Sequence, residues 1–423
     1  MPRRFTASLR PHHISLAQRR VATLAGAVLL GLAAIAFARC GEVAQSLFTR
    51  MVAQWPLAPF VVTPLTFAGV VWMTRRCWPA ARGSGIPQVM AAAHDPEGQA
   101  QGVLVSLRTA LAKFGCTLAM LLSGGSVGRE GPTVQISAAL MVAVHRWLRV
   151  PVSAGVIIAG GAAGVAAAFN TPLAGVAFAI EELASAFEQK VALLVMAAVM
   201  VSGLVSLGLT GDYIYFGAVS GVLPLHAMLL VAPVAGVLGG LAGGGFSRCL
   251  IGMGQSQRGW LVRLRAHPVA LALVCGLVVA TTGWLSNGLS WGTGYDTTRH
   301  LLTGQAAPVL FGPAKLVATL ATALSGAPGG IFAPSLSVGA GLGQLIALGF
   351  PGSSAGAIVL LGMVGYFTGV VRAPMTSVII MMEMTADRSM ILPLFATALI
   401  ADVVSSWVCR EKLYHALSRP FMG

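Results

Sequence analysis

Long apolar runs, separated by short clusters of glycine, proline and arginine, make up most of this chain. Runs over 21–37 and 56–73 predict the first two helices, and a run over 103–122, carrying Lys113, predicts a third long one. Apolar stretches at 152–169 and 173–180 follow, parted by Pro172, and the first half ends near 209. The second half repeats the texture, with runs at 228–246, 268–285, 310–324, 339–350, 358–371, 375–382 and 390–408. Asn287-Gly-Leu-Ser-Trp-Gly-Thr-Gly294 between them is polar and predicts a loop. A helix crossing a bilayer needs about 20 residues, and many of these runs are shorter. Tilted and half-crossing helices are stable in a membrane when they line an internal cavity.

Two glycine-rich stretches interrupt the pattern. Ser123-Gly-Gly-Ser-Val-Gly-Arg-Glu-Gly-Pro132 precedes a helix predicted over 133–140, with Pro132 suited to its first turn. Ser325-Gly-Ala-Pro-Gly-Gly-Ile-Phe-Ala-Pro334 aligns with it at an offset of 202 residues. The same offset pairs Asn170-Thr-Pro-Leu173 with Arg372-Ala-Pro-Met375, and Glu181 with Glu383. The chain is therefore read as a duplicated unit. A third motif, Gly83-Ser-Gly-Ile-Pro87, opens a helix through 90–93 that is too short to span. Glycine lets a ligand approach the backbone, and the first N–H groups of a helix are unpaired and partly positive. Three such starts in an apolar chain predict an anion site at membrane depth.

Composition narrows the class. Of 423 residues, 56% are hydrophobic and 9% charged, against roughly 25% charged in a soluble domain. An all-α, multi-pass membrane protein is expected. The net charge of +14 does not line one face or an aromatic strand, which argues against nucleic acid. The basic residues fall in tails and short loops, as at Arg3–Arg20, Arg75–Arg82, Arg248–Arg265 and Arg410–Arg419, and the positive-inside rule puts those segments and both termini in the cytoplasm. The expected divisions are a basic segment 1–20, a first membrane repeat 21–211, a linker 212–225, a second repeat 226–409 and a tail 410–423. Cysteines 40, 77, 116, 249, 275 and 409 form no close pair, so neither a disulfide framework nor a metal site is expected. No cofactor is expected either.

With 13 acidic residues in all, each carboxylate inside an apolar run stands out. Glu130 lies among glycines, and an ionisable residue at membrane depth is a functional candidate. Glu181-Glu182 ends an apolar helix, where negative charge is disfavoured. Because Glu383 matches Glu181 while Met384 stands opposite Glu182, Glu181 and Glu383 read as structural and Glu182 as functional. Lys113 reads as snorkelling or lining a solvated cavity.

Gly83-Ser-Gly-Ile-Pro87, Gly128-Arg-Glu-Gly-Pro132 and Gly329-Gly-Ile-Phe-Ala-Pro334, in this order, resemble the three anion-site signatures of the CLC family of chloride channels and proton-coupled chloride exchangers. The resemblance covers nearly the whole chain. It implies a CLC-type fold of two inverted-topology repeats and a homodimer with one pathway per subunit. It implies a bacterial inner-membrane location among lipid, with chloride and protons as the transported ions. Glu130 matches the external gating glutamate, whose carboxylate competes with chloride. Burial opposes its charge while helix N-termini favour it, so proton and anion occupancy are linked.

Ser84 matches the serine that donates to chloride, and Tyr414 in Lys412-Leu-Tyr414 resembles the second hydroxyl donor. Ile331 and Phe332 match backbone donors. Gly83, Gly85, Gly128, Arg129, Gly131, Pro132 and Gly330 support the motifs. Ser84 implies chloride over nitrate, and the intact 128–132 motif argues against the fluoride-exporting branch. Glu182 falls on the inner proton-relay position, which implies an exchanger; a passive, voltage- or pH-gated chloride channel is the alternative. One departure bears on coupling, since many members have acids after the 83–87 motif and Gln88, Val89 and Met90 follow here. The sequence ends at Gly423, and a form without cytoplasmic CBS domains is expected.

A different class also fits one pattern. Gly124-Gly-Ser-Val-Gly128 satisfies the nucleophile motif of serine hydrolases, with Ser126 as nucleophile. It needs a base within reach, and His145 and His226 are the histidines near apolar runs. Neither has an evident orienting partner, so transport rather than enzymatic hydrolysis is expected.

Overall fold

A computed structural model describes residues 16–422, apart from 97, 184–188, 212–213, 218–222 and 386–388. Most of the expected basic segment 1–20 and parts of the expected linker 212–225 lie outside the described residues. The first half contains α1 (Leu16–Gln54), α2 (Pro59–Cys77), α3 (Ile86–His94), α4 (Gln99–Leu104), α5 (Leu107–Leu122), α6 (Glu130–Trp147), α7 (Ala154–Phe169), α8 (Pro172–Phe178) and α9 (Gln189–Thr210). The second contains α10 (Leu225–Gln255), α11 (Gly259–Ala266), α12 (Pro268–Leu285), α13 (Tyr295–Leu302), α14 (Phe311–Leu324), α15 (Phe332–Ala347), α16 (Ala355–Val371), α17 (Pro374–Thr385), α18 (Ile391–Val408) and α19 (Leu413–Met422). Among the described residues the only β pairing is one isolated bridge, Gly128 with Gly330.

The duplication is structural. Helices α5 to α8 recur as α14 to α17. The boundaries at Leu122/Leu324, Glu130/Phe332, Phe169/Val371 and Pro172/Pro374 all keep the 202-residue offset. Helices α7 and α16 form the centre, buried along Gly155–Phe169 and Gly356–Val371. Helices that are apolar on every face belong inside a large or membrane-embedded core. Small residues set how closely they pack: a Cβ added to Gly160 would lie 2.9 Å from the Cα of Ala138 in α6. In the second half a Cβ on Gly343 of α15 would lie 2.5 Å from the Cα of Val359 in α16. Backbone contact through glycine is how membrane helices gain packing energy without a hydrophobic driving force.

Among the described residues, five helical stretches are long and apolar enough to cross a membrane, in α1, α9, α10, α12 and α18. Shorter apolar helices, α7, α14, α15 and α16, fill the interior. Several boundaries differ from the sequence pattern. Helix α1 is 39 residues long and continues past 37 to Gln54, because its polar positions Arg39, Glu42 and Arg50 remain on exposed faces. The run 103–122 is two helices, since Ser106 caps α5 by accepting the N–H of Thr109. Helix α15 begins at Phe332, ahead of the expected 339.

Glu181 and Glu383 cross between the halves. Glu181 accepts the N–H groups of Met375 (3.1 Å) and Thr376 (2.7 Å) at the start of α17. Glu383 accepts those of Leu173 (3.0 Å) and Ala174 (2.7 Å) at the start of α8. Each carboxylate caps a helix of the opposite repeat, where the helix dipole favours negative charge.

Candidate functional site

Three loops that lead into helices meet at the centre of the molecule. Gly128 donates to the carbonyl of Gly330 at 2.7 Å and Gly330 donates back to Gly128 at 2.8 Å; Gly329 donates to the carbonyl of Gly83 at 3.1 Å. The N-termini of α3, α6 and α15 therefore converge. Gly85, at φ +109°, turns the chain into α3, with Pro87 in its first turn. Such a φ strains any residue with a side chain. A Cβ on Gly131 would lie 2.4 Å from the Ser84 hydroxyl and 3.3 Å from the Cα of Gly330, so the three motifs touch through glycine. Pro132 sits in the first turn of α6, its Cδ 3.1 Å from where a Cβ on Gly330 would stand.

The Glu130 side chain is fully buried and lies back over Gly128: a Cβ there would be 2.1 Å from Oε2. Oε2 accepts one long hydrogen bond, 3.5 Å, from the N–H of Ala333 in the first turn of α15. The backbone amides of Arg129 and Glu130 also face the carboxylate. Oε1 has no hydrogen-bond partner. The carboxylate thus occupies an anion position at the paired starts of α6 and α15.

Beside it stand two hydroxyls. Ser84 and Tyr414 approach one another, and both Ser84 Oγ and the Tyr414 hydroxyl are buried without a hydrogen bond of ordinary geometry. Buried donors left open in this way are rare and call for an acceptor. Tyr414, on α19, packs against the ring of Phe332 at 6.1 Å. Phe332 packs in turn on Phe178, Phe367 and Phe169 at 5.9, 4.9 and 6.3 Å. The Phe332 side chain is thus packing. With the nearly buried Ile331, Phe332 carries N–H groups of the kind a helix start leaves unpaired.

Glu182 lies in a π-helical turn, Ala179–Leu183, that follows α8. It is 2% exposed, and neither carboxylate oxygen has a hydrogen-bond partner. Lys412 and Glu181 are the charges that act on it most. A single wide turn of this kind rotates neighbouring side chains off the regular helical face. It sends Glu181 to the α17 cap and leaves Glu182 inside, while Glu130 and Glu182 are the carboxylates that act on Tyr414.

Lys113 neither snorkels nor faces solvent. It is fully buried, and its Nζ donates to the carbonyls of Gly83 (2.8 Å) and Arg82 (3.3 Å), holding the loop that presents Ser84. Gln88 braces the same loop, donating to Arg82 at 2.5 Å and Ala80 at 3.2 Å. Lys315, one repeat later, is also fully buried and donates to the carbonyls of Gly292 (2.6 Å) and Ser290 (3.1 Å) before α13. Nothing in the hydropathy around Lys315 singles it out, although the 202-residue offset from Lys113 marks it.

Outside Glu130, a cavity of about 790 Å³ is lined by Glu42, Arg129, Thr293, Tyr295 and Asp296 among others. Arg129 donates to the carbonyl of Ala38 at 2.7 Å and pairs with Glu42 at 3.3 Å, which ties α1 to the start of α6. Ser126 does not meet a base: its hydroxyl is 2.9 Å from that of Thr319, while His145 Nδ1 faces the carbonyl of Met141 and His226 is exposed.

Residues 65–406 match a family model described as voltage gated chloride channel. The chain is 32% identical over 387 residues to the H(+)/Cl(-) exchange transporter ClcA of Yersinia pestis, covering 86% of this chain and 77% of that protein. The corresponding protein of Yersinia pseudotuberculosis matches to the same extent. The fold of this chain is similar to the crystal structure of a slow cyanobacterial Cl-/H+ antiporter, at TM-score 0.81 and 24% identity, covering 96% of this chain and 98% of the other. It is similar too to a CLC-type fluoride/proton antiporter, at TM-score 0.79 and 23% identity, over 95% and 98% of the two chains.

Proposed function

Because the chain belongs to the family of voltage-gated chloride channels, we propose that it exchanges chloride for protons across a membrane, with Glu130 as gate and Glu182 as inner proton relay. The observation that carries this reading is the Glu130 carboxylate at the start of α15, next to the open hydroxyls of Ser84 and Tyr414. As an anion, the carboxylate competes with chloride for the helix N-termini. Protonation removes the charge that holds it there, and the side chain leaves the position to chloride. Proton binding and chloride binding are coupled because they change the occupancy of one place.

Chloride then takes hydrogen bonds from Ser84, Tyr414 and the first amides of α15 at Ile331 and Phe332. Arg129, Gly83, Gly85, Gly128, Gly131, Pro132 and Gly330 hold these donors in place. Glu182 binds and releases a proton without breaking a fixed hydrogen bond, since neither oxygen has one. Ser84 favours chloride over nitrate.

The chain is a multi-pass membrane protein. Its expected setting is a bacterial inner membrane, as a homodimer with a pathway in each subunit, and with 16–20 and 410–423 on the cytoplasmic side. Repeats over 21–211 and 226–409 carry the transport unit.

The test is transport by purified protein in liposomes under a chloride gradient, with protons and chloride both recorded. Uphill proton movement driven by chloride, lost in Glu130→Gln and in Glu182→Gln, is the expected result. Chloride flux without proton movement would instead identify a passive channel.

A further inference from the structure

Arg372 ends α16 in left-handed backbone, at φ +59°. Asn170, its equivalent in the first repeat, ends α7 in the same way at φ +57°. Asparagine adopts this conformation readily, whereas arginine does so at a cost in free energy. Contacts of the Arg372 side chain offset that cost. The side chain is 14% exposed, and its Nε donates to Asp402 Oδ1 at 3.1 Å. Its Nη1 donates to the carbonyls of Arg410 at 3.0 Å and Cys409 at 3.4 Å.

Those two carbonyls mark the point where the chain leaves α18 and turns toward α19. Leu413 opens α19, and Tyr414 follows in its first turn. The Tyr414 hydroxyl approaches Ser84 but makes no hydrogen bond of ordinary geometry to fix its depth. Its position is therefore set by the backbone that carries it and by the Phe332 ring beside it. The other end of α19 is held as well, since the Arg82 guanidinium lies 4.7 Å over the ring of Phe421.

We propose that Arg372 is a positioning residue for Tyr414: by gripping the Cys409–Arg410 carbonyls it sets how far the Tyr414 hydroxyl reaches toward the bound anion. This rests on the reading of Tyr414 as a chloride donor. The α16–α17 junction of the second repeat thereby controls a donor that stands beside Ser84 of the first.

The experiment is chloride titration calorimetry on the purified full chain. Arg372→Asn retains the left-handed backbone, so the fold is expected to survive, as a thermal melt will verify. Its chloride affinity should fall roughly tenfold, the effect of misplacing one hydrogen bond to a charged ligand. Asp402→Asn, which leaves the guanidinium on the two carbonyls, should keep affinity within about twofold, inside the range of ordinary surface changes. In a Tyr414→Ala background, Arg372→Asn should cause almost no further loss. The inference is overturned if Arg372→Asn leaves affinity intact, or weakens it equally with and without Tyr414. A Tyr414→Ala protein that binds chloride normally would overturn the reading of Tyr414 and this inference together.

Discussion

Gly128 and Gly330 occupy equivalent positions in the two repeats and bond to each other, each donating its N–H to the other's carbonyl at 2.7 and 2.8 Å. This pairing sets the first turns of α6 and α15 side by side. The residues two places on, Glu130 and Phe332, are equivalent in sequence but opposite in chemistry. One places a carboxylate at the centre and the other an aromatic ring packed on Phe178 and Phe367. A symmetric scaffold thus produces one asymmetric site.

Gly128→Ala tests the resting place of the carboxylate. The new methyl group would stand 2.1 Å from Glu130 Oε2 and must push the side chain away. Chloride affinity near neutral pH is expected to rise, because its competitor is displaced, while the ratio of protons to chloride falls. Calorimetry and paired ion-flux recordings measure the two.

Glu130→Gln keeps the shape and removes the titratable charge. On the proposed gating role, protonation of Glu130 frees the anion position in the wild type, so chloride flux is expected to rise as pH falls. In the variant the flux should be nearly flat with pH, and chloride-driven proton movement should drop to that of protein-free liposomes. A pH-dependent flux that persists in Glu130→Gln would place the gate elsewhere.

Lys315→Met leaves the buried carbonyls of Ser290 and Gly292 without their donor, at a cost of about 1–3 kcal/mol each, whereas Lys113→Met removes one of two donors from the carbonyls of Arg82 and Gly83, which keep Gln88 and Gly329, and should cost less. Both should melt at lower temperature. Lys113→Met should also weaken chloride binding, because its carbonyls belong to the loop that presents Ser84, whereas Lys315→Met should not. Melting curves and chloride titrations on the two proteins separate the effects.

Glu181→Ala should act on stability alone. It removes the acceptor of the first N–H groups of α17, a capping loss of about 1–2 kcal/mol. Glu182→Ala, one residue on, should leave the melting temperature nearly unchanged and abolish proton movement. Reversal of that pattern in liposome and melting assays would exchange the two assignments.

Ser84→Ala and Tyr414→Phe each delete one buried hydroxyl that makes no hydrogen bond of ordinary geometry within the protein. Chloride affinity should fall by roughly tenfold in each, as for a hydrogen bond to a charged group. Stability should hold or improve slightly, because an open polar group leaves the core. Unchanged chloride titrations would remove that hydroxyl from the site.

Much of this follows from local chemistry and could be read in the chain. Apolar runs mark helices, glycine with proline marks where they start, and the 202-residue offset marks the duplication that α5–α8 and α14–α17 display. The paucity of acids makes Glu130 stand out, and the repeat offset, with Glu383 opposite Glu181 and Met384 opposite Glu182, separates the two neighbouring acids. Helix ends were read less well, because a cap such as Ser106 or a polar stripe such as Arg39 and Glu42 alters a boundary without altering hydropathy.

Distance was decided by the tertiary structure. That Gly128 pairs with Gly330, that Glu181 and Glu383 each cap the other repeat, and that Arg372 grips the turn before Tyr414 depend on groups 37 to 210 residues apart. So does the burial of Lys113 and Lys315 against loop carbonyls. Sequence determines which groups need a partner; only the packed fold determines which partner is near enough, because hydrogen bonds and ion pairs act over a few ångströms.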